Sequence, residues 1–215
     1  MADIGCWMND YFHIYCMNWC LNILCKIYTS LIILGIKISP PSILFNNPKK
    51  KINASRTETI HADITFDEKE RQYILQAAEE WRQFSNQSID IKIDFDLNAE
   101  VPFNYETTLI KATASDPITV ESDGYFKCTI LGLCKPNADE TIDLYIIYDR
   151  LKDPITFRST VMHEIGHFLG LDHTPGNSIM SRRNHGNILH LTYNDAIEFA
   201  KKYKCQLSDL RYFCL

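Results

Sequence analysis

The run HEIGHFLGLDH, from His163 to His173, limits what this chain can fold into more than any other feature of the sequence. His163 and His167 are four residues apart, so on a helix they lie on one face, one turn apart. Two imidazoles so placed can bind one zinc ion, and Glu164 would lie beside that ion without being in line to bind it. The spacing therefore predicts a helix that carries two metal ligands and a candidate general base.

His173 can complete the site as a third ligand only if the chain leaves the helix before it, since a continued helix would carry it nearly three turns beyond His163 and out of reach. Gly170 permits the sharp turn that brings His173 back. Three protein ligands with one open position are typical of catalytic zinc, whereas structural zinc has four. We therefore predict one catalytic Zn2+ ion held by His163, His167 and His173, with Gly170 supporting the turn. A pair of core histidines would explain neither Gly170 nor His173.

This motif and the sequence after it resemble a known family. HExxHxxGxxH followed by a methionine turn, here Ser178-Ile179-Met180, is similar to the metzincin zinc metalloproteases, and HEIGHFLGLDHT is closest to their matrixin (matrix metalloproteinase-like) branch. The resemblance is strong over roughly residues 142–203 and loose over roughly 61–141. It implies an α+β fold with a twisted, mainly parallel mixed sheet, two long helices, an active-site helix and a small C-terminal subdomain that ends in a last helix.

By this resemblance the chain is a zinc-dependent endopeptidase that hydrolyses internal peptide bonds of protein or peptide substrates. Glu164 would take a proton from a zinc-bound water and hand it to the leaving amine. Met180 would pack beneath the zinc as a floor without binding it. Two other classes of protein remain compatible with the residues: a catalytically silent zinc-binding or peptide-binding module on the same fold, and a zinc hydrolase of a non-protein amide. Retention of Glu164 weighs against the silent module, because binding alone requires only the histidines.

The chain departs from the family pattern after Met180, where Ser181 and Arg182 stand in the places at which related enzymes carry a tyrosine. We hypothesise that Arg182 contributes positive charge to the oxyanion. Asp172 is either a hydrogen-bond partner of a ligand histidine or a surface residue near a turn. No PRCGxPD motif is present, so control of a zymogen by a propeptide thiol is not expected. A second, structural zinc is not predicted, because the other histidines of the body are scattered: His61, His185 and His190. Calcium has no support either, since the aspartates of SIDIKIDFDLN alternate as the solvated face of a strand.

Hydrophobic periodicity places regular elements along the body of the chain. Thr65 and Glu68 have the spacing of a capping box before a helix from about Asp67 to Phe84. Strict alternation of apolar and charged residues predicts a strand over SIDIKIDFDLN. An exposed sheet edge, which we place at the strand predicted for residues 125–131, is where a substrate strand would pair. The other predicted elements are strands at about 109–113 and 142–148, a helix from Ser159 or Thr160 to Gly170, and a helix from Asn194 to Tyr203 capped by Thr192.

An apolar run near the N-terminus indicates targeting to a membrane. IYTSLIILGI, residues 27–36, lies between Lys26 and Lys37 and has the length of a signal-peptide core. Translation from Met17 would give a shorter leader. We expect a secreted or membrane-anchored protein whose catalytic domain lies outside the cytoplasm. The predicted segments are a signal peptide or signal anchor at 1–37, a linker at 38–60 and the metalloprotease domain at 61–215, with a cleft between 61–170 and 171–215.

Net charge and cysteine content bound the partners and the compartment. The net charge is -5 and no basic stripe is present, which argues against nucleic acid as a partner. We expect a monomer that meets a membrane only through its N-terminal apolar segment. Cys128 with Cys134 could close a hairpin and Cys205 with Cys214 could pin the tail, although four cysteines allow three pairings and free thiols are the alternative. Disulfides would suit an exported protein.

Overall fold

The strands of the described residues build one mixed sheet, and helices that lie between them and after them in the chain pack against it. The computed structural model describes residues 56–98, 105–126, 128–182 and 188–213. All of these except Phe213 belong to a compact unit that spans Asn47–Tyr212, and a second unit consists of residues 1–46 and 213–215. In chain order the elements are β1 (Arg56–Asp63), α1 (Glu68–Phe84), β2 (Ile89–Leu97), β3 (Thr107–Ala112), α2 (Pro117–Phe126), β4 (Gly132–Pro136), β5 (Ile142–Ile147), α3 (Pro154–Phe168) and α4 (Tyr193–Tyr203), with 3₁₀ turns at Tyr148–Arg150 and Leu207–Asp209.

The sheet has five strands in the order β2-β1-β3-β5-β4. Strand β1 pairs in parallel with β2 and β3, and β3 pairs in parallel with β5. Strand β4 runs antiparallel to β5, with Gly132 opposite Ile146 and Pro136 opposite Ile142. The predicted α+β fold with a mainly parallel mixed sheet is thus confirmed. Among the described strands, β2 and β4 form the two edges of this sheet.

Three of the predicted strands are confirmed, and strand β1 was not predicted. SIDIKIDFDLN contains β2, and the predictions at 109–113 and 142–148 correspond to β3 and β5. Strand β1 takes in residues 56–60, which the sequence analysis assigned to the linker. Ile60 in this strand is fully buried and pairs with Ile93 of β2. The strand begins with the polar residues RTET, so its alternation gives little sign of burial in the sequence.

The strand predicted at residues 125–131 is wrong, because Tyr125 and Phe126 end helix α2 and the strand begins only at Gly132. Helix α2 turns polar residues inward, with Thr119 and Ser122 buried. Its larger apolar side chains are exposed instead, so no apolar residues recur at the helical period. The sequence therefore carried no periodic signal for this helix, and its start signal is the pair Asp116-Pro117.

Helix α1 confirms the helix predicted from Asp67 to Phe84, but its cap differs from the predicted one. The Asp67 carboxylate accepts a hydrogen bond from the Glu70 N–H at 2.9 Å, and the Glu70 carboxylate accepts one from the Asp67 N–H at 2.7 Å. The predicted capping box of Thr65 and Glu68 is therefore wrong. The Thr65 N–H donates to the Asp63 carboxylate at 2.8 Å, so Thr65 belongs to the turn before the helix.

Helix α3 begins at Pro154, earlier than the predicted start at Ser159 or Thr160. Asp153 caps it by accepting a hydrogen bond from the Thr156 N–H at 2.9 Å. Proline is favourable in this first turn because the helix requires no N–H donor there. Asp-Pro is thus itself a start signal, and it precedes the apolar periodicity of the helix.

Helix α4 confirms the last predicted helix, starting at Tyr193 rather than Asn194, with Thr192 as its cap. Its Phe199 meets Trp81 and Phe84 of α1 at ring-centroid distances of 6.3 and 5.1 Å. The Trp81 indole N–H also donates to the Met162 carbonyl of α3 at 3.0 Å. Burying one such aromatic side chain contributes about 2–3 kcal/mol. This shared aromatic contact fixes α3, the helix that carries the first two histidines of the motif.

The cysteines do not pair as predicted. Cys128, Cys134 and Cys205 are free thiols. The predicted bridge between Cys128 and Cys134 is therefore wrong; Cys128 is exposed, whereas Cys134 lies on β4 and packs against the apolar core. The predicted partner of Cys205, Cys214, lies outside the described residues.

Within the described ranges, no helix combines the length and the apolar character needed to cross a membrane. The predicted signal peptide or signal anchor at 1–37 lies outside the described residues, as does most of the predicted linker.

Candidate active site

The three histidines of the motif converge on one point. His163 and His167 lie on one face of α3, and their Nε2 atoms are 3.0 Å apart. The His167 Nε2 is also 3.3 Å from the His173 Nε2. One ring nitrogen from each of the three residues lies within 4.8 Å of the others. The predicted three-histidine cluster is thus confirmed.

Gly170 turns the chain so that His173 can return to the helix. It has a φ of +79°, in the left-handed region that glycine adopts without strain. The Gly170 N–H donates to the His167 carbonyl at 2.8 Å, and the Leu171 N–H donates to the Gly166 carbonyl at 2.9 Å. This pair of bonds is the Schellman arrangement that ends a helix. The structure therefore places Gly170 at the turn for which the sequence analysis required it.

Two backbone carbonyls orient the ligand rings. The His163 Nδ1 lies 2.7 Å from the Ile179 carbonyl oxygen, and the His167 Nδ1 lies 2.8 Å from the Leu171 carbonyl oxygen. A carbonyl can only accept, so each Nδ1 carries the proton and each Nε2 presents a lone pair. Lone pairs that face one another need a shared cation. Their spacing suits zinc, because tetrahedral ligation with Zn–N bonds of about 2.0–2.1 Å separates the nitrogens by about 3.3 Å.

The surroundings keep the three imidazoles neutral, which is the form that binds metal. Burial, together with the neighbouring imidazoles of His167 and His173, lowers the pKa of His163 to about 4. Burial likewise lowers the pKa of His167 and of His173. The nearby charge of Arg182 adds to the lowering of the His173 pKa, whereas Asp172 opposes the shift at both residues.

Glu164 is buried beside the histidines, with only 4% of its surface exposed. None of the described residues forms a hydrogen bond with its carboxylate. Burial raises the pKa of Glu164 to about 8. Strand β4 runs directly past this carboxylate: a Cβ atom added to Gly132 would lie 2.5 Å from the Glu164 Oε1. Sequence reasoning missed Gly132, because no local pattern shows that a sheet edge approaches the helix here.

Met180 lies under the active-site helix. Its side chain is completely buried, and a Cβ atom added to Gly166 of α3 would collide with its sulfur and lie 3.0 Å from the Trp81 ring. Helix α3 can therefore approach the methionine turn closely only because residue 166 has no side chain. Sequence reasoning missed Gly166, although a glycine inside a predicted helix is a signal of close packing.

Asp195, in the first turn of α4, holds the methionine turn in place and is fully buried. Its carboxylate accepts hydrogen bonds from the Ser178 hydroxyl at 2.5 Å and from the N–H groups of Ile179 and Met180, each at 3.1 Å. It also accepts from the Thr192 N–H at 2.8 Å and hydroxyl at 2.9 Å. Because the Ile179 carbonyl orients His163, Asp195 acts on the site through the backbone. Sequence reasoning named Thr192 as the cap of this helix but missed Asp195.

Asp172 and Arg182 are both exposed and lie near the histidines without bonding to them. No hydrogen bond joins Asp172 to a ligand histidine in the described part of the chain. The ring N–H groups of His163 and His167 go to backbone carbonyls instead. Asp172 and Arg182 therefore influence the site only through their charges.

Comparison with known proteins agrees with this geometry. A model of the matrixin family, peptidase M10, matches residues 44–204, which is most of the chain. No curated protein matches the chain. The matched region contains all three histidines and both segments that orient them. The chain therefore belongs to the matrixin family of metzincin zinc metalloproteases, and with its three-histidine zinc site it is a zinc-dependent endopeptidase.

Proposed function

We propose that Glu164 is the catalytic base of this endopeptidase and that β4 aligns its protein substrate. The observation that carries the proposal is the setting of Glu164: a buried carboxylate without a hydrogen-bond partner among the described residues, next to a metal ligand and against the sheet edge. Because no described residue donates to it, the Glu164 carboxylate has both oxygens available to accept a hydrogen bond from a reacting water.

Zinc on the three histidines and the Glu164 carboxylate would take different parts in the reaction. Zinc held by the three Nε2 atoms would supply a positive charge that polarises the scissile carbonyl and acidifies water. Glu164 accepts the proton of the attacking water and delivers it to the leaving amine. Burial raises the pKa of Glu164, so its carboxylate takes up a proton more readily than an exposed carboxylate would.

A substrate strand can add to the free edge of β4. One side of β4 pairs with β5, and no other described strand pairs with the opposite side. An extended peptide on that side would make main-chain hydrogen bonds and pass Glu164 where Gly132 leaves space. The proposed substrate edge is therefore β4 and not residues 125–131, and the reason for it, pairing of the substrate with an exposed sheet edge, is unchanged.

Four residues near the zinc ligands take supporting roles in the proposal. Gly170 sets the turn to His173, and Met180 forms the floor of the site. Arg182 is a candidate cation for the oxyanion because it is exposed and its charge acts on His173. Asp172 acts on the histidines through its charge. The loop from Ser181 to Leu191, of which residues 183–187 lie outside the described residues, would form the wall of the specificity pocket.

We also propose an exported, monomeric enzyme. Residues 1–37 would be the signal peptide or anchor, with the linker ending before β1 at Arg56 and the catalytic domain following it. The apolar run at residues 27–36 and membership of the matrixin family support this arrangement. Cell fractionation of the expressed full chain, followed by N-terminal sequencing, would locate the protein and any cleavage point.

The test of function is cleavage of a mixed peptide library by the zinc-loaded full chain and by Glu164→Gln. Glutamine keeps the shape of Glu164 but cannot take the proton, so we expect kcat to fall by about 10²–10⁴-fold with zinc content unchanged. Glu121→Gln, an exposed glutamate of α2, is the matched control and should cleave like the wild type.

The outcomes separate the competing roles. Cleavage that a chelator abolishes and zinc restores is expected for the wild type. A Glu164→Gln variant that cleaves at the wild-type rate would remove Glu164 from the mechanism. A wild-type protein that binds one zinc ion and cleaves no peptide in the library would redirect the search to non-protein amides.

A further inference from the structure

Helix α2 presents an apolar surface to solvent. Val120, Tyr125 and Phe126 are 58%, 80% and 50% exposed, whereas Thr119 and Ser122 of the same helix are buried. The rings of Tyr125 and Phe126 meet edge to face at a centroid distance of 5.0 Å. We call these three exposed residues the aromatic surface. Exposed apolar clusters of this kind commonly mark binding sites. Because α2 buries polar residues and exposes apolar ones, burial of an apolar face does not explain its orientation.

The end of α2 is tied to the segment that leads into β4. The Asp123 carboxylate accepts hydrogen bonds from the Ile130 N–H at 2.9 Å and from the Arg150 guanidinium at 2.6 and 3.0 Å. Arg150 also donates to the Ile130 carbonyl at 2.7 Å. Burial is slight, but this pairing lowers the pKa of Asp123, so the tie is an ion pair at neutral pH. The last turn of α2, with Tyr125 and Phe126, therefore holds a fixed place beside Ile130.

The tie at Ile130 lies only two positions before Gly132, the residue of β4 that contacts Glu164. The Leu131 carbonyl accepts a hydrogen bond from the Ile147 N–H at 3.0 Å, and Gly132 then lies against Glu164. Two residues of extended chain span at most about 7 Å. A substrate strand advances about 3.3 Å per residue, so a substrate that runs past the Gly132 end of β4 reaches the aromatic surface within about three or four residues of the scissile bond.

We propose that the aromatic surface is an accessory binding site for the substrate polypeptide and takes an apolar or aromatic side chain about three or four residues from the cleaved bond. The inference rests on the proposed alignment of substrate along β4. Continuity with that edge selects the substrate as occupant, because a chain added to β4 must leave it at this end. Tyrosine and phenylalanine suit the role, since they supply large contact areas at low cost in side-chain entropy.

The experiment compares peptides of one core sequence and different lengths. A fluorogenic peptide of about six residues, which covers only β4, is compared with peptides extended by about four residues at either end. Each extension carries either phenylalanine or serine at the distal position. The enzyme is the zinc-loaded full chain, as wild type and as the Tyr125→Ala/Phe126→Ala double variant. Leu75→Ala, which shortens an exposed apolar side chain on α1, is the matched control.

In the double variant, we expect kcat/KM for one of the two phenylalanine-extended peptides to fall about tenfold, mainly through KM. The short peptide and the serine-extended peptides should stay within about twofold of wild type, as should every peptide with Leu75→Ala. Thermal unfolding of the double variant should match wild type, because both side chains are exposed.

Several results would overturn the inference. Equal losses on short and extended peptides would mean that the substitutions disturb Glu164 rather than an accessory site. If wild-type kcat/KM is the same for the phenylalanine-extended and serine-extended peptides, the aromatic surface has no role in substrate binding. A wild-type dimer in sedimentation that the double variant lacks would assign the surface to a second copy. Failure of the wild type to cleave even the short peptide would instead refute the proposed function itself.

Discussion

Replacing Asp195 by alanine should uncouple the methionine turn from helix α4 and, through it, loosen the zinc site. The carboxylate is fully buried and accepts five hydrogen bonds, three from backbone N–H groups and two from hydroxyls. None of these five bonds comes from a histidine. Its effect on zinc would pass through the Ile179 carbonyl, which orients the His163 ring at 2.7 Å.

The expected loss of stability follows from the donors that the substitution leaves behind. In Asp195→Ala the N–H groups of Ile179 and Thr192 lose this acceptor, whereas the Met180 N–H keeps the Ser178 hydroxyl at 2.9 Å. A buried N–H without an acceptor costs about 1–3 kcal/mol. Two such groups, with some relief from water that enters the space, give a loss of about 3–5 kcal/mol in the free energy of unfolding.

Urea unfolding of the metal-free protein measures this loss directly. Glu198→Ala is the matched control, because Glu198 is on the same helix but forms an exposed ion pair with Lys201 at 2.6 Å. That variant should stay within about 0.5 kcal/mol of wild type. Competition with a fluorescent chelator then measures zinc affinity, which should weaken by about 10–100-fold in Asp195→Ala and remain unchanged in Glu198→Ala.

The Asp195→Asn variant sharpens the test. Asparagine keeps the shape of the side chain, but its NH2 group replaces one acceptor oxygen and faces groups that donate to that oxygen in wild type. The free energy of unfolding of this variant should therefore lie between those of wild type and Asp195→Ala. The reasoning would be refuted by an Asp195→Ala protein that loses less than about 1 kcal/mol and binds zinc as tightly as wild type.

Two further predictions concern the close packing and the protonation of the site. Gly166→Ala should reduce the free energy of unfolding by about 1–3 kcal/mol in the same urea assay, because the new methyl group collides with Met180 and the Trp81 ring. Gly124→Ala is the control, since its new methyl group meets nothing within 4 Å. Equal losses in the two variants would contradict the packing argument. In the metal-free protein, His163 should lower the free energy of unfolding as the pH falls from about 6.5 towards 5, because burial keeps its pKa at about 4 in the folded chain and the unfolded chain takes up the proton first. Glu164 acts in the opposite direction over this range, because burial raises its pKa to about 8 and the folded chain is protonated first. Compared with wild type at each pH, His163→Gln should therefore gain stability as the pH falls, and a difference between the two proteins that does not change with pH would assign the His163 slope to other groups.

The zinc ligands could be predicted from sequence because their signal is local. His163, Glu164 and His167 share one helix, and Gly170 marks the turn to His173 within a few residues. Short-range patterns of this kind depend on the helical period and on backbone φ alone. The same applies to α1, β2 and α4, whose apolar residues recur at a clear period.

The features that could not be predicted depend on contacts between distant parts of the chain. Nothing near Gly132 shows that its strand passes Glu164, and nothing near Asp195 shows that it meets the methionine turn. Helix α2 was missed because it buries Thr119 rather than an apolar stripe. The cysteine pairing failed for the same reason, since sequence spacing says little about the distance between Cys128 and Cys134 in the fold.

The choice of backbone carbonyls to orient the ligand rings has a consequence for how mutations act on this enzyme. The acceptors at Ile179 and Leu171 belong to the main chain, so no point substitution can delete them. Side chains at those two positions are free to vary as far as packing allows. Substitutions instead harm the orientation of the ligand rings at residues that fix the path of the backbone, such as Gly170 and Asp195. Loss-of-function variants in this chain will therefore accumulate at positions that never touch the metal.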